Sequence, residues 1–151
     1  HKNDLPYVED DTNLDNDFDR NFLRNEIIPS LGKRWSKLPE RAALTSLTAK
    51  KKKLSLDFML EKNFKKEIST GIIERAKFIE TPSFLIEELI RLILRKKGIA
   101  LPSQKVLSEI MNVFFHKKPS NESYVEWSRK DGEQIGGKVF SEHNDIILKK
   151  K

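Results

Sequence analysis

Helical spacing of apolar residues dominates most of the chain and gives way to a two-residue alternation near its end. Phe18, Phe22, Leu23, Ile27 and Ile28 recur at the period of one helix face. Asp17 or Asp19 stands where a side-chain oxygen can accept an early backbone N–H and cap that helix. Pro29 lacks an N–H and disfavours helical geometry at Ile28, which predicts a break or bend there. Leu31 and Trp35 continue the face beyond it. From Glu40 to about Lys66 there is neither Pro nor Gly. Leu44, Leu47, Leu54, Phe58 and Phe64 mark a partial stripe that Lys50 to Lys53 interrupts. This predicts one long helix, buried better at its ends than in its middle and suited to bridge two bodies.

Gly71 loosens the chain before Ile72 and Ile73. Thr81–Pro82 has the form of an N-cap followed by proline at the first helical position. Leu85, Leu89, Leu92 and Ile93 then share a face, Arg95 to Lys97 complement the helix dipole, and Gly98 can close the helix in left-handed geometry. A second short helix is expected near Ser103, with Val106, Leu107, Ile110, Met111 and Phe114 on one side. After Pro119 the pattern turns to strands: one at Tyr124 to Trp127, then a hairpin of Lys138 to Glu142 and Ile146 to Lys149 around His143, Asn144 and Asp145. Residues 1–16 are rich in Asp and Asn without helical periodicity, as expected of loop or extended backbone. The expected fold is mainly α: a long linker helix over 37–66, then a small helical domain over 67–151 with a C-terminal β-hairpin.

Composition narrows the function classes. With 151 residues the chain fits one domain, or a small domain with a helical extension. There is no cysteine, which excludes disulfides, thiolate metal sites and cysteine nucleophiles. No apolar run approaches the roughly 20 residues that span a bilayer, and no signal peptide is visible. A soluble, cytoplasmic protein without membrane contact is therefore expected. The net charge of +6 is polarised: residues 1–19 hold seven acids against one lysine, whereas residues 20–53 hold ten basic residues against two acids. An acidic leader before a basic segment suits an anionic partner, though it equally suits a solvated helix.

Catalytic signatures are sparse. His1, His116 and His143 share no metal-ligand spacing, no serine lies in a nucleophile elbow, and Gly136–Gly137 is too little for a phosphate cradle. Glu9, Asp10 and Asp11 are a Mg²⁺ candidate, but a disordered acidic arm is the simpler reading. The densest constellation is Glu9-Asp10-Asp11-Thr12-Asn13, a six-residue spacer, Arg20-Asn21-Phe22-Leu23-Arg24, then Pro29 and Arg34-Trp35. Arg20 and Arg24 lie four apart, so one helix face presents both to two phosphates, or to a phosphate and a carboxylate. Asn21 offers a donor and an acceptor, and Phe22 and Leu23 are expected to hold the helix to its support. Pairing of the arginines with Asp15, Asp17 and Asp19 is an equal alternative.

These residues resemble the end of the catalytic domain of bacterial tRNA(Ile)-lysidine synthases. The order that follows is similar to that family's helical substrate-binding domain: a basic linker helix, Pro82 to Gly98, Leu101-Pro102-Ser103 with its short helix, and the hairpin. The resemblance implies that residues 1–36 are the tail of an ATP-pyrophosphatase-type catalytic domain and that residues 67–151 hold tRNA. The family joins lysine to the wobble cytidine of a minor isoleucine tRNA; ATP adenylates the base and lysine's amine displaces AMP. ATP and Mg²⁺ are thus implied for a parent enzyme, with none expected on this chain. The family's Ser-Gly-Gly-x-Asp-Ser loop has no counterpart here, so an inactive fragment of a longer ligase is expected.

By the same resemblance Arg20, Asn21 and Arg24 lie at the rim of the ATP site, with Asp11 and Asn13 in support. Lys33, Arg34, Lys37, Arg41 and Lys50, Lys51, Lys52 and Lys53 would follow the RNA backbone. Trp35 and Trp127 could stack on an unpaired base, although core packing is the expectation for each. Two other readings stand beside this one. A helical protein-interaction module would use apolar faces around Leu89 and Phe114 to meet a partner or to form a homodimer. An independent small enzyme would use Asp11 and Arg20, yet it has no nucleophile or cofactor loop.

Overall fold

A computed structural model describes residues 15–120, 122–128 and 135–151. The acidic leader, with Asp11 and Asn13, lies outside the described residues. The chain divides into two compact units, residues 1–53 and 54–151.

In the first unit a helical run starts at Asp19 and changes pitch twice. Helix α1 (Asp19–Phe22) passes into a π-helical turn (Leu23–Ile27) and then into α2 (Ile28–Arg34), whose first turn contains Pro29. Proline has no N–H to return to the preceding turn, and its ring crowds the carbonyl four residues back. The wider turn ahead of Pro29 relieves both, so the expected break or bend takes the form of a change of pitch. Neither Asp17 nor Asp19 caps the run, contrary to expectation. The N-cap is Phe18, without a side-chain cap bond, while Asp15 Oδ1 accepts the Asp17 N–H at 3.0 Å in the manner of an Asx turn.

Helix α3 (Leu38–Asn63) runs for 26 residues across the boundary between the units. Its expected stripe is out of phase. Leu44, Leu47, Leu54 and Phe58 are all exposed, whereas Leu56, Leu60 and Phe64 enter the core of the second unit. These three stand four residues apart and so share one face. Only the C-terminal end of α3 is buried; its start is as exposed as its middle.

The second unit is organised around α5 (Ser83–Lys96), which buries Ile86, Leu89, Ile90, Leu92, Ile93 and Leu94. Burial on so much of the circumference requires neighbours on several sides. They are the end of α3, α4 (Lys65–Thr70), α6 (Gln104–Met111) and the inner face of a sheet. Leu89 and Phe114 are fully buried within this core, so the expected partner faces around them are internal packing. Helix α5 starts one residue later than the sequence suggests, with Pro82 at the N-cap and no side-chain cap from Thr81. Gly98 closes it at φ 63° as anticipated, with the Ile99 N–H reaching the Leu94 carbonyl at 2.9 Å. Ser103 caps α6 through the Val106 N–H.

The C-terminal hairpin is part of a larger sheet. Strands β1 (Ile72–Glu74), β2 (Tyr124–Trp127), β3 (Gly137–Glu142) and β4 (Asp145–Lys150) run in the order β1-β4-β3-β2, each pair antiparallel. His143 and Asn144 take positive φ at the β3–β4 turn, the geometry that matches the twist of a two-residue hairpin. Gly71, at φ 77°, ends α4 and lends its carbonyl to the Leu148 N–H, so the chain leaves the helix directly into the sheet edge. That is why a three-residue strand forms where sequence suggested only a loose joint. Trp127 is buried, and its indole N–H donates to the Ala100 carbonyl at 2.6 Å.

The Trp127 ring packs against Gly137, where any β-carbon would strike it and crowd Ile99. A Gly137→Ala variant should therefore lose about 1–3 kcal/mol, the usual cost of overpacking, read as a lower urea midpoint at unchanged slope.

Glu74 is gripped by Lys66 at 2.7 Å and Lys77 at 2.6 Å. The Lys66 hydrogen bond, then that of Lys77, hold its carboxyl down at about 2. Such a depressed carboxylate favours the fold above its ordinary pKa, and that favour fades as pH falls through about 2. Carboxyl-carbon NMR of Glu74 should show a midpoint near 2, and Lys66→Ala should move it upward.

Candidate nucleic-acid interface

Within the first unit the entry turn is tied to the helical run by asparagines. Asn21 is buried and donates from Nδ2 to the Asp15 carbonyl at 2.8 Å. Asn25, one turn on, donates to Asn16 Oδ1 at 2.9 Å, and Asn16 in turn donates to Glu26. Asn21 thus ties the entry turn to the helical run through one amide N–H. Asn25 was not singled out from sequence, although its i, i+4 relation to Asn21 was the available signal.

Arg20 and Arg24 are exposed, one on α1 and the other on the π-helical turn. Phe18, Phe22, Leu23 and Ile28 are exposed as well, at 58%, 44%, 50% and 54%. The expectation that Phe22 and Leu23 are held against a support is not met within the described residues. The helical run is too short to fold back and cover its own apolar side.

The corner between α2 and α3 brings several of the expected RNA-facing residues together. The Leu38 N–H bonds to the Trp35 carbonyl at 2.9 Å and the Arg41 N–H to the Lys37 carbonyl at 3.1 Å, which winds residues 35–41 into a tight turn. Arg34, Trp35, Lys37, Leu38 and Arg41 line an open cavity of about 520 Å³. The Arg34 guanidinium lies 5.4 Å from the centre of the Trp35 ring, within cation–π range. Trp35 is 53% exposed, which overturns the expectation that it packs in a core; Trp127 keeps that role. The corner offers three cations around an apolar floor, a combination that can meet a phosphate and an adjoining ring.

Lys33 lies just before this corner, and Lys50, Lys51, Lys52 and Lys53 are all exposed further along α3. Successive helical residues are about 100° apart, so four consecutive lysines ring the helix and do not line one face. The structure therefore separates the basic residues into a compact corner and a distant collar. Among the described residues no three His, Asp or Glu side chains gather as metal ligands. No helix among the described residues is long and apolar enough to cross a membrane.

No family model matches the chain, but curated relatives do. It is 32% identical over 126 residues to the tRNA(Ile)-lysidine synthase of Buchnera aphidicola subsp. Acyrthosiphon pisum, a match covering 82% of the chain and 29% of that protein. The enzyme of the same name from Photorhabdus laumondii is 33% identical over 113 residues, covering 72% of the chain and 25% of the relative. That of Coxiella burnetii is 30% identical over 155 aligned positions, covering 97% and 34%. The chain spans about three tenths of the length of these relatives. Over the segment it spans, the chain belongs to the tRNA(Ile)-lysidine synthase family.

Proposed function

We propose that this chain is the tRNA-holding portion of a cytoplasmic lysidine synthase, an ATP-dependent ligase that joins lysine to the wobble cytidine of a minor isoleucine tRNA. The observation that carries the reading is the α2–α3 corner, where Arg34, Lys37 and Arg41 surround the exposed Trp35. The names of the relatives supply the substrate class. Cations set on a rigid turn position a phosphate backbone without reading sequence. The Lys50–Lys53 collar adds charge that attracts RNA from any direction around the helix. Arg20 and Arg24, exposed on one helical run, are assigned to the ATP phosphates or the lysine carboxylate of the parent enzyme. The remaining contacts to ATP, and those to Mg²⁺, fall to the rest of the parent.

Titration of this chain with tRNA at several salt concentrations tests the holding role. Each duplex phosphate contact contributes a slope of roughly −0.9 in the log–log plot. The triple variant Arg34→Ala, Lys37→Ala, Arg41→Ala should flatten the slope by about 2–3 and weaken binding at least tenfold. A chain that binds tRNA no better than an acidic protein of equal size defeats the proposal.

In the longer parent, Arg20→Ala with Arg24→Ala should lower lysidine formation by about 100-fold or more. Both side chains are exposed, so thermal unfolding should be unchanged. Unaltered turnover removes the assignment of these two arginines.

A further inference from the structure

The sheet of the second unit has an outer face that the α-helical core does not use. Val125, Trp127, Val139, Ile146 and Leu148 point inward and are buried. The alternate residues form three rows across the strands, because each register pairing aligns them. The central row is Tyr124, Phe140, Ile147 and Ile72, one residue from each strand. Tyr124 is 59% exposed and Ile72 38%, with Phe140 and Ile147 half-buried between them. On one side lies a row containing Lys138 and Lys149; on the other side lie acids, Glu142, Asp145 and Glu74.

Neighbouring strands lie about 4.8 Å apart, so the register pair Tyr124 and Phe140 sets two aromatic side chains side by side on this face. The lysine row is about 7 Å away along the strands, on the order of the separation between a base and its backbone phosphate. The Lys138 ammonium stands 4.4 Å from the Tyr124 ring centre, and that of Lys149 stands 4.7 Å from the Phe140 ring. Each ammonium therefore covers a ring face, beside a cavity of about 210 Å³ that Tyr124, Lys138, Phe140 and Lys149 line with Glu122 and Ser123. The neighbouring Glu126 is engaged by Lys151 at 3.0 Å.

We infer that the outer face of the sheet binds an unpaired nucleotide of RNA, its base stacked on Tyr124 and Phe140 and its phosphate on Lys138 and Lys149. Magnitudes favour the exchange. An exposed cation–π contact is worth about 0.5–1 kcal/mol, whereas stacking of a base on an aromatic side chain returns about 1–3 kcal/mol. The displaced ammonium keeps its value by turning to the phosphate. The acidic row repels backbone from the other side and so gives the strand one orientation. An acidic peptide would satisfy the lysines but leave the two rings without a planar partner. This inference rests on the reading of the chain as an RNA holder, and names a second contact with a different element of RNA from the helical corner.

The test uses this 151-residue chain and an unstructured RNA hexamer carrying one 2-aminopurine, whose fluorescence is quenched on stacking. Wild type should bind with quenching, and Tyr124→Ala should weaken binding roughly 5- to 100-fold. Tyr124→Trp should restore both affinity and quenching, which a merely structural role would not predict. Lys138→Ala with Lys149→Ala should reduce the salt slope by about 1.4, the single-strand value for two phosphates. Unchanged hexamer binding in Tyr124→Ala, or a preference for an acidic peptide or for duplex RNA, overturns the inference. The tRNA titration of the triple variant in the corner fails or succeeds separately, because none of those substitutions touches the sheet.

Discussion

Helix α5 sets the terms for the second unit. A 14-residue helix with six buried aliphatic side chains cannot lie on a surface with one face to water. It has to be covered, and each surrounding element supplies cover: α6 and Phe114, the sheet through Ile73, Val139, Ile146 and Leu148, and the end of α3 through Leu60. Each buried Leu or Ile contributes on the order of 1.5–3 kcal/mol. The helix is also held by charge where it emerges. Arg95 makes a bidentate contact to Asp57 at 2.9 and 3.1 Å, and Lys96 pairs with Glu61 at 2.7 Å. Asp57 and Glu61 flank Leu60 on α3, so polar and apolar contacts fix the same helix–helix register.

Legibility in sequence followed how local the cause was. The ends of α5 and α6 were readable because Gly98 and Ser103 act within a turn of themselves. The β3–β4 hairpin was readable from alternation about a turn-forming His143–Asn144. Strand β1 was not, because three residues carry no period and its formation depends on β4, more than 70 positions away. The phase of α3 was missed for a similar reason. Leu44, Leu47, Leu54 and Phe58 looked like a stripe only so long as apolar character was taken to mean burial. What selected Leu56, Leu60 and Phe64 was the position of α5, which no local pattern of α3 encodes.

The candidate interface was legible as composition and not as geometry. A surplus of lysine and arginine over residues 20–53 is plain in the sequence, but its division into a corner and a collar depends on where the chain turns between α2 and α3. Trp35 was assigned to a core on the ordinary behaviour of tryptophan. The turn instead leaves it 53% exposed, with the Arg34 guanidinium beside its ring. Asn21 shows the reverse. Its donor and acceptor suggested fine positioning, but nothing local showed that one amide N–H goes to the Asp15 carbonyl at 2.8 Å. The tyrosine and phenylalanine of the outer sheet escaped notice because strand alternation does not reveal which residues of different strands become neighbours.

Helix α3 shows how a polar helix can persist without an apolar stripe of its own. At 26 residues it is about 39 Å long, and most of it is exposed. Good helix formers and the absence of internal Gly or Pro after Pro39 favour helix throughout, but in water such propensity alone is marginal. Burial of Leu56, Leu60 and Phe64, together with the Asp57 and Glu61 ion pairs, fixes the last turns. A fixed end removes the nucleation cost, so each earlier residue needs only to propagate. The exposed lysines therefore need no packing partner to stay helical. Their surface is left to carry charge, which a buried helix could hold only at a high desolvation cost.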